Sequence, residues 1–282
     1  MRVVELNSVT KAYGFGDATN VALDNINLHV NEGEFLAVMG PSGAGKSTLL
    51  NIVGLIDFPT HGTYHIKNKK VSKMGNLRRA KMRRDHVGYV FQSFNLLPKM
   101  TALENVALPL AYKRVKYVKR LNMASEMLRT VGLQEKEYYY PHQLSGGQLQ
   151  RVAIARALIN NPSVIIADEP TGNLDSVASE AIMELFSELH KKGHTIVMVT
   201  HNPDLTVHAS RLIYLKDGQL KHDVELAPGE AIDLSKLSAA EQHKQEFKKK
   251  TKSRNTKSKT IKKPRKKPTA SKTKPLKRGK KK

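Results

Sequence analysis

The stretch GPSGAGKST, residues 40–48, constrains the fold of this chain more than any other. It follows the apolar run FLAVM (35–39) and precedes the mostly apolar run LLNIV (49–53), so the order is strand, tight loop, helix. The pattern G-x-x-x-x-G-K-[ST] turns backbone N–H groups inward at a helix N-terminus, where the helix dipole favours an anion. The alternative is a glycine-rich turn that fits the pattern by chance. We expect a phosphate-binding loop in an α/β fold.

The residue types in this loop, called the phosphate loop below, predict specific contacts. Lys46 is expected to reach the β- and γ-phosphates of a nucleotide, and Ser47 to bind Mg²⁺. The glycines allow the tight curl of the backbone. The predicted nucleotide-binding residues of the loop are Gly40, Pro41, Ser42, Gly43, Ala44, Gly45, Lys46, Ser47 and Thr48.

Composition narrows the class of protein. The 282 residues are 39% hydrophobic, enough for one sizeable core, and the absence of cysteine excludes disulfides and thiolate metal sites. The N-terminus has no apolar signal-peptide core, and no segment approaches the roughly 18 uninterrupted apolar residues of a membrane span. We therefore expect a cytoplasmic protein whose role at a membrane is peripheral.

The net charge of +23 comes mainly from the C-terminal tail, residues 248–282. This tail holds 19 of the 48 Lys and Arg residues and no Asp or Glu, which leaves 29 basic and 25 acidic residues in 1–247. Only Ile261 and Leu276 are sizeable apolar side chains there, so the tail is predicted to be disordered. Three alternatives stay open for it, namely a solvated charge run, binding to anionic lipid, and binding to nucleic acid.

Two nearly all-apolar segments predict buried strands of a parallel sheet, and both end in titratable residues. The segment 164–167 ends in Asp168 and Glu169. The segment 196–200 ends in His201. Ligands bind at the carboxyl ends of such strands, so Asp168 is expected to hold Mg²⁺ through water and Glu169 to act as general base on the attacking water. His201 is expected to contact the γ-phosphate or orient that water.

A β-rich run, 86–91, ends in Gln92, whose neutral amide is a candidate to bind Mg²⁺ or the attacking water. The next residues place apolar side chains beside turn formers. Such a surface is either a lid over the core or a docking site. The residues concerned are Phe94, Leu96 and Leu97.

From residue 102 to about 160 apolar residues recur with a period of 3.6, which predicts a helical subdomain. Within it the sequence LSGGQ (144–148) precedes a predicted helix, 149–158, with Ser145 as its N-cap. The structural interpretation is an ordinary capped helix. The functional interpretation is a second phosphate-binding surface at the helix N-terminus. Its candidate residues are Ser145, Gly146, Gly147 and Gln148.

The N-terminal part is expected to be β-rich, with strands over 3–9 and 22–30 and a hairpin over 63–71. Tyr13 lies where the first of these strands ends. Its ring is able to stack on a purine, or it packs on the core.

Together these motifs resemble those of ATP-binding-cassette (ABC) ATPases in order and spacing. The resemblance rests on GPSGAGKS, Gln92, LSGGQ, IIADE, the NLD of 173–175 and His201, and it covers about residues 1–225. More narrowly, LNIVGLIDFPTHG and PTGNLDS are similar to the macrolide-exporter and lipoprotein-release branch.

The resemblance implies a P-loop NTPase with a RecA-like mixed-sheet core, an antiparallel β subdomain and an inserted helical subdomain at about 95–160. It implies two cassettes packed head to tail, with ATP between residues 40–48 of one and 145–148 of the other. Further implied roles are communication across the interface by Asp175, stacking of Tyr13 on adenine, and sensing of Mg²⁺ and the membrane partner by Gln92.

The expected function is therefore ATP hydrolysis that drives a separate permease, for export or for efflux of the lipoprotein or macrolide type. The chain is expected to lie at the inner face of the cell membrane. The permease is expected to dock near Gln92, Phe94, Leu96 and Leu97. The alternatives are an ABC ATPase that drives a non-transport complex of the cell-division type and a nucleic-acid-associated ABC protein. The expected domains are an ATPase domain at 1–225, a polar linker at 226–247 with a short helix near Ser235, and the tail at 248–282.

Overall fold

The computed structural model describes residues 1–14, 19–227, 229 and 231–232. The chain divides into one unit spanning Met1–Asp233 and another spanning Leu234–Lys282, and the helices and strands of the described residues all belong to the first. The helix expected near Ser235 and the basic tail lie outside the described residues. No helix in the described part of the chain is long and apolar enough to cross a membrane.

An antiparallel sheet of four strands contains the N-terminus. Its order is β2-β1-β4-β5. Along the first strand, apolar side chains such as Val4, Leu6 and Val9 are buried and most polar ones lie toward solvent, as expected for a sheet with one covered face, while Lys11 is buried. The predicted strands are confirmed with longer bounds, and the predicted hairpin begins two residues earlier and ends one residue earlier than expected. The strands are β1 (Arg2–Tyr13), β2 (Asn20–Asn31), β4 (His61–Ile66) and β5 (Lys69–Lys70).

A second, mixed sheet of six strands has the order β10-β9-β3-β8-β7-β6. Five of its strands are parallel, and β10 pairs antiparallel with β9. Every residue of β3 and β8 is buried, which explains their uninterrupted apolar sequences. The strands are β3 (Phe35–Met39), β6 (Val87–Val90), β7 (Val164–Asp168), β8 (Ile196–Val199), β9 (Arg211–Lys216) and β10 (Gln219–Glu225).

Helix α1 (Lys46–Val53) contributes to the core that the two sheets share. Leu49, Leu50, Ile52 and Val53 are buried and belong to one apolar cluster with strand residues from both sheets. The fully buried Tyr64 of β4 donates its hydroxyl hydrogen to the Val53 carbonyl at 2.7 Å, and burial raises its pKa. Helix α1, which begins in the phosphate loop, is therefore fixed against both sheets.

The predicted helical subdomain is inserted between β6 and β7. It contains α3 (Ala102–Tyr112), α4 (Tyr117–Thr130) and α5 (Gly146–Leu158), and α6 (Ser176–Lys191) follows β7. Helix α5 begins three residues earlier than expected because the Ser145 cap outweighs the poor helix propensity of the two glycines.

Two α-helices of the described residues, α6 and α2 (Asn76–His86), were not predicted from the sequence. Helix α2 precedes β6 and takes up His86, which the sequence pattern assigned to the following β-rich run. None of the eleven residues of α2 is buried. It therefore lacks the apolar stripe by which an amphipathic helix is recognised.

Candidate functional site

The phosphate loop is pressed between two strands, and its glycines make this possible. Gly45 caps α1 with φ 99°, a left-handed conformation, and a Cβ atom there would collide with the Ala22 carbonyl oxygen of β2. A Cβ atom on Gly40 would collide with the Leu215 carbonyl oxygen of β9. Because the loop contacts backbone on both sides, neither position accepts a side chain, and the curl of the loop is fixed.

Lys46 curves back over the phosphate loop. Its Nζ donates to the carbonyl oxygens of Gly40 at 2.7 Å and Pro41 at 2.9 Å. These bonds hold a positive charge beside backbone N–H groups at the start of α1, an arrangement suited to an anion.

A cavity of about 430 Å³ opens at this loop. Its walls are residues 43–48, residues 20–22 at the start of β2, and the turn of Asp217 and Gly218 between β9 and β10. The last two walls were not predicted from the sequence. The Asp-Gly pair is a signal for a hairpin turn. It does not indicate contact with the phosphate loop, which lies some 170 residues earlier in the chain.

Asp168 and Glu169 lie at the carboxyl end of β7, next to the phosphate loop. Asp168 is half-buried, and burial together with the charge of Glu169 raises its pKa, against the opposing effect of Lys46. Glu169 has a left-handed backbone, φ 45°, and its N–H donates to the Val199 carbonyl of β8 at 3.0 Å. This end of the sheet therefore holds excess negative charge, which a cation would relieve.

His201, which follows the neighbouring strand β8, contacts Glu169. Its Nδ1 lies 3.3 Å from Oε1 of Glu169. The histidine side chain is 70% exposed and that of Glu169 is 25% exposed. The structure thus brings the candidate base and the candidate histidine together at the mouth of the site.

Gln92 follows β6 at the same edge of the sheet. Its backbone carbonyl accepts a hydrogen bond from Nδ2 of Asn173 at 3.1 Å. Its side chain packs on Gly172, where a Cβ atom would lie 2.6 Å from Nε2 of Gln92. Gln92 is therefore held against the loop that follows Glu169.

The segment 145–148, called the signature segment below, is held by local bonds. The Gln148 N–H donates to Oγ of Ser145 at 3.4 Å, and the Ser145 N–H donates to Oε1 of Gln148 at 3.0 Å. This reciprocal capping box makes Ser145 the N-cap of α5, as the sequence predicted.

Asp175 lies beside the signature segment. It caps α6, accepting a hydrogen bond from the Ala178 N–H at 2.8 Å. Cβ atoms on Gly146 and Gly147 would lie 3.1 Å from Leu174 and 3.2 Å from Ala178, so the starts of α5 and α6 are neighbours.

The predicted site residues therefore fall into two groups. Among the described residues, no hydrogen bond or ion pair joins the signature segment to the phosphate loop. Tyr13 belongs with the phosphate loop, since it pairs across the strands with Asn20, which lines the cavity. Its ring is 43% exposed and is not part of the buried core.

The loop after Gln92 is anchored by α3 and α5. Phe94 and Asn95 have left-handed backbones, and the guanidinium of Arg156 donates to both of their carbonyl oxygens. The fully buried Asn105 accepts from the Leu97 N–H at 2.8 Å and donates to the Leu97 carbonyl at 3.1 Å. These bonds leave Leu97 43% exposed.

A groove of about 1020 Å³ lies beside this loop. Asn95 and Arg156 are shared between the loop contacts and the groove wall. The groove combines apolar and cationic side chains, and its lining in the described residues includes no Asp or Glu. Its most exposed apolar members are Leu77, at 88%, and Tyr112, at 68%.

Comparison with known proteins shows several close similarities. A family model described as ABC transporter matches residues 23–172. The chain is 51% identical over 221 residues to the uncharacterized ABC transporter ATP-binding protein YvrO of Bacillus subtilis (strain 168), across 78% of this chain and 96% of that protein. It is 43% identical over 222 residues to the macrolide export ATP-binding/permease protein MacB of Escherichia coli, across 79% of this chain and 34% of MacB.

A solved structure shows the same similarity in three dimensions. It is the dimeric structure of a post-hydrolysis state of the ATP-binding cassette MJ0796 bound to ADP and Pi, and a protein of that name is known from Methanocaldococcus jannaschii. The two sequences are 48% identical, and the TM-score is 0.73 across 79% of this chain and 99% of that chain.

Proposed function

The chain belongs to the ABC transporter family, and we propose that it is an ATP-binding subunit that dimerises head to tail around two ATP molecules and drives a separate membrane permease. As a member of this family it binds and hydrolyses ATP. Relatives that this chain covers over nearly their whole length are named as ATP-binding proteins of ABC transporters, whereas this chain spans about a third of MacB. The relatives favour transport over the cell-division type of output and over a role on nucleic acid.

The observation that carries the proposed dimer is the division of the site within one chain. The phosphate loop and the signature segment each present a helix N-terminus, which is suited to phosphate. The capping bonds of the signature segment are local. In the proposed dimer ATP lies between residues 40–48 of one chain and 145–148 of the other, with Asp175 beside the interface. The dimeric form of the MJ0796 cassette supports this arrangement.

The proposed chemistry assigns distinct tasks to the residues at the sheet edge. Lys46 neutralises phosphate charge, and Glu169 accepts a proton from the attacking water. His201, 3.3 Å from Glu169, orients that water or contacts the γ-phosphate. The dimer completes the site, so binding of ATP closes the two chains and hydrolysis releases them.

Mg²⁺ fits the same site. The donors are the Ser47 hydroxyl, the Gln92 amide and Asp168, the last through water. The pKa of Asp168 is raised by burial and, secondly, by the charge of Glu169, and a bound cation would favour the ionised carboxylate. Within the described ranges no three His, Cys, Asp or Glu side chains cluster to hold a metal, so the ion would depend on oxygens of the nucleotide as well. Once bound, it would supply further neutralisation of phosphate charge.

The proposed dimer is tested by mixing two inactive variants. Lys46→Ala disables the phosphate loop, and Ser145→Asp keeps an N-cap but puts a negative charge where phosphate must bind. In a head-to-tail dimer of the two variants, one site combines both defects and the other is intact. Random pairing of equal amounts should therefore restore about a quarter of the wild-type ATPase rate.

The controls for this experiment are each variant alone, at the same total concentration. If the mixture is no more active than the separate variants, and the variants do form mixed dimers in pull-downs between tagged and untagged chains, the head-to-tail arrangement is wrong.

The proposed docking site of the permease is the surface around Gln92, Phe94, Leu96 and Leu97. The anchoring of this loop by Arg156 and Asn105 and the adjoining groove of about 1020 Å³ support it, since a fixed, partly apolar surface is suited to a partner. The test is co-purification with the permease after Phe94→Asp and Leu96→Asp. Val118→Asp on the exposed face of α4 is the matched control, and undiminished association in the double variant would contradict the assignment.

The cellular setting follows from this partner. We propose export from the cytoplasm, with the chain at the inner face of the membrane, an ATPase domain at 1–225 and a helical subdomain at about 95–160. For the basic tail 248–282, binding to anionic liposomes and to nucleic acid across a salt series, with and without the tail, separates its three alternatives. Equal binding by both forms would favour a solvated tail.

A further inference from the structure

The hydroxyl of Tyr13 lies between the two ends of α1. It donates to Oδ2 of Asp57 at 2.9 Å, and the side chain of Thr48 lies close to it. Thr48 lies in the first turn of α1, and Asp57 follows the end of the helix, where its N–H donates to the Asn51 carbonyl at 3.0 Å. The edge of the tyrosine ring is therefore fixed relative to the helix that carries the phosphate loop.

A nearly buried cation lies against the same ring. Lys11 is only 7% exposed, and its Nζ lies 4.7 Å from the centroid of the Tyr13 ring. Lys11 and Tyr13 are two residues apart on β1, so both side chains lie on one face of the strand. Nζ also lies 4.8 Å from the centroid of the Phe58 ring. The ammonium group thus occupies the space between two aromatic rings.

Asp57 joins the cation to the hydroxyl. Its Oδ1 accepts a hydrogen bond from Nζ of Lys11 at 2.8 Å, while its Oδ2 accepts the one from Tyr13. Nζ of Lys11 also donates to the Phe58 carbonyl at 3.1 Å. A buried charge with these partners is compensated, whereas loss of one partner leaves the other uncompensated. The carboxylate therefore holds both Lys11 and Tyr13 in place.

We propose that Lys11 and Asp57 are positioning residues for the base of the nucleotide. They close one face of the Tyr13 ring with a cation and fix its hydroxyl, so that the remaining exposed part of the ring is presented in a defined orientation to a flat ligand. The inference rests on the proposed stacking of Tyr13 on adenine. Neither residue is a catalytic residue, because each acts through Tyr13.

This role differs from that of an ordinary ion pair that ties β1 to α1. Removing an ordinary ion pair would lower the stability of the fold. Any effect that it had on the phosphate loop would lower the affinity for all ligands of that loop alike. A positioning role acts on ligands that carry a base and leaves inorganic polyphosphate unaffected. The ratio of the two affinities therefore separates the two roles.

The experiment uses the full chain and two probes, MgADP and magnesium pyrophosphate, titrated by calorimetry. Tyr13→Ala should weaken MgADP about tenfold, the effect of losing one stacked base, and leave pyrophosphate unchanged. Asp57→Asn should weaken MgADP about threefold, and it should add nothing once Tyr13 is already alanine. The matched control is Asp223→Asn, which removes a carboxylate from another nearly buried cation, Arg211.

Melting temperatures of the ligand-free variants are measured alongside. If Asp57→Asn does not yield a folded chain, Tyr13→Phe removes the hydroxyl tether alone and should lower the affinity for MgADP but not for pyrophosphate. Equal losses for both probes in Asp57→Asn would overturn the inference. The inference would also be overturned if Asp57→Asn and Tyr13→Phe leave the affinity for MgADP unchanged while Tyr13→Ala weakens it. That result would still support the stacking of Tyr13 on adenine. No effect of Tyr13→Ala would overturn the stacking as well.

Discussion

The phosphate loop and the signature segment both lie at helix N-termini, yet the chain holds them in different ways. The phosphate loop is enclosed by backbone, with Gly45 against Ala22 of β2 and Gly40 against Leu215 of β9. The signature segment is held by the two hydrogen bonds of its own capping box and lies against residues near the start of α6.

This difference indicates an order of events. A loop whose curl is fixed before any ligand arrives loses little conformational freedom when phosphate binds, so one chain is able to hold a nucleotide by itself. The signature segment offers a helix dipole and an exposed polar surface, which gain most when a second chain brings a nucleotide to them. We infer that binding to the phosphate loop precedes closure of the dimer.

The largest expected effect is that of Glu169→Gln, which separates closure of the proposed dimer from hydrolysis of ATP. The amide cannot accept the proton of the attacking water, so the ATPase rate should fall by about 10²- to 10⁴-fold. The phosphate loop and the signature segment stay intact, so ATP should still bind and the dimer should persist in size-exclusion chromatography with MgATP. Glu180→Gln, on the exposed face of α6, is the control. Turnover at the wild-type rate would remove Glu169 from the role of base.

A second prediction compares one glycine from each region. Gly45→Ala should lower the free energy of unfolding by about 2–4 kcal/mol, because its φ of 99° and the nearby Ala22 carbonyl both exclude a methyl group. Gly147→Ala should stay within about 1 kcal/mol, because the helical gain of alanine offsets a mild contact with Ala178, 3.2 Å away. Urea unfolding of the ligand-free proteins measures both.

The two glycine variants should also differ in how they lose activity. Gly147→Ala should remain folded and bind nucleotide but turn over slowly, since it lies outside the phosphate loop and alters the surface that is proposed to meet the second chain. Equal stabilities for the two variants would show that the two regions are held alike.

The smallest expected effect concerns Asp168, which lies at the end of β7 beside the phosphate loop. Its pKa in the folded chain is raised by burial and by Glu169 above its ordinary value of 3.8. The folded state therefore loses stability as pH rises from that value through the raised pKa, and ionised Asp168 is a net cost at neutral pH. Asp168→Asn should raise the Tm of the ligand-free chain by about 1–2 °C at pH 7.

This gain should vanish in acid, where the carboxyl group is protonated in both the folded and the unfolded chain. Thermal unfolding monitored by circular dichroism over a pH series measures it. A Tm below that of the wild type at pH 7 would contradict the assigned source of the raised pKa.

The sequence predicted those parts of the fold whose local pattern and final environment agree. The strands β3, β7 and β8 are buried on both faces, so their apolar runs were sufficient. Helix α2 has no buried residue and no apolar stripe, so the pattern gave no signal for it. The capping box of α5 could be recognised in part, since Ser145 was predicted as N-cap, but the three extra residues depend on its bond with Gln148.

The candidate site divides in the same manner. Lys46, Asp168, Glu169 and His201 were predicted as site residues because each follows a recognisable strand, and the structure places them at the carboxyl ends of neighbouring strands. The contacts of Tyr13 with Lys11 and Asp57 were not found, because Asp57 lies 44 residues away and no short motif links them. Contacts made by β pairing and by the end of a helix require the three-dimensional fold.

The Ser145 hydroxyl has a consequence for the speed of closure. Its oxygen accepts the hydrogen bond that caps α5. Its hydrogen is not used in that bond and rotates about the C–O bond, so it can be donated to another acceptor. In the proposed dimer, a phosphate oxygen of the nucleotide on the second chain receives this hydrogen while the cap stays formed. At this contact the proposed closure needs no local unwinding of the helix, because a hydroxyl rotates as fast as other small side chains, on the picosecond to nanosecond scale.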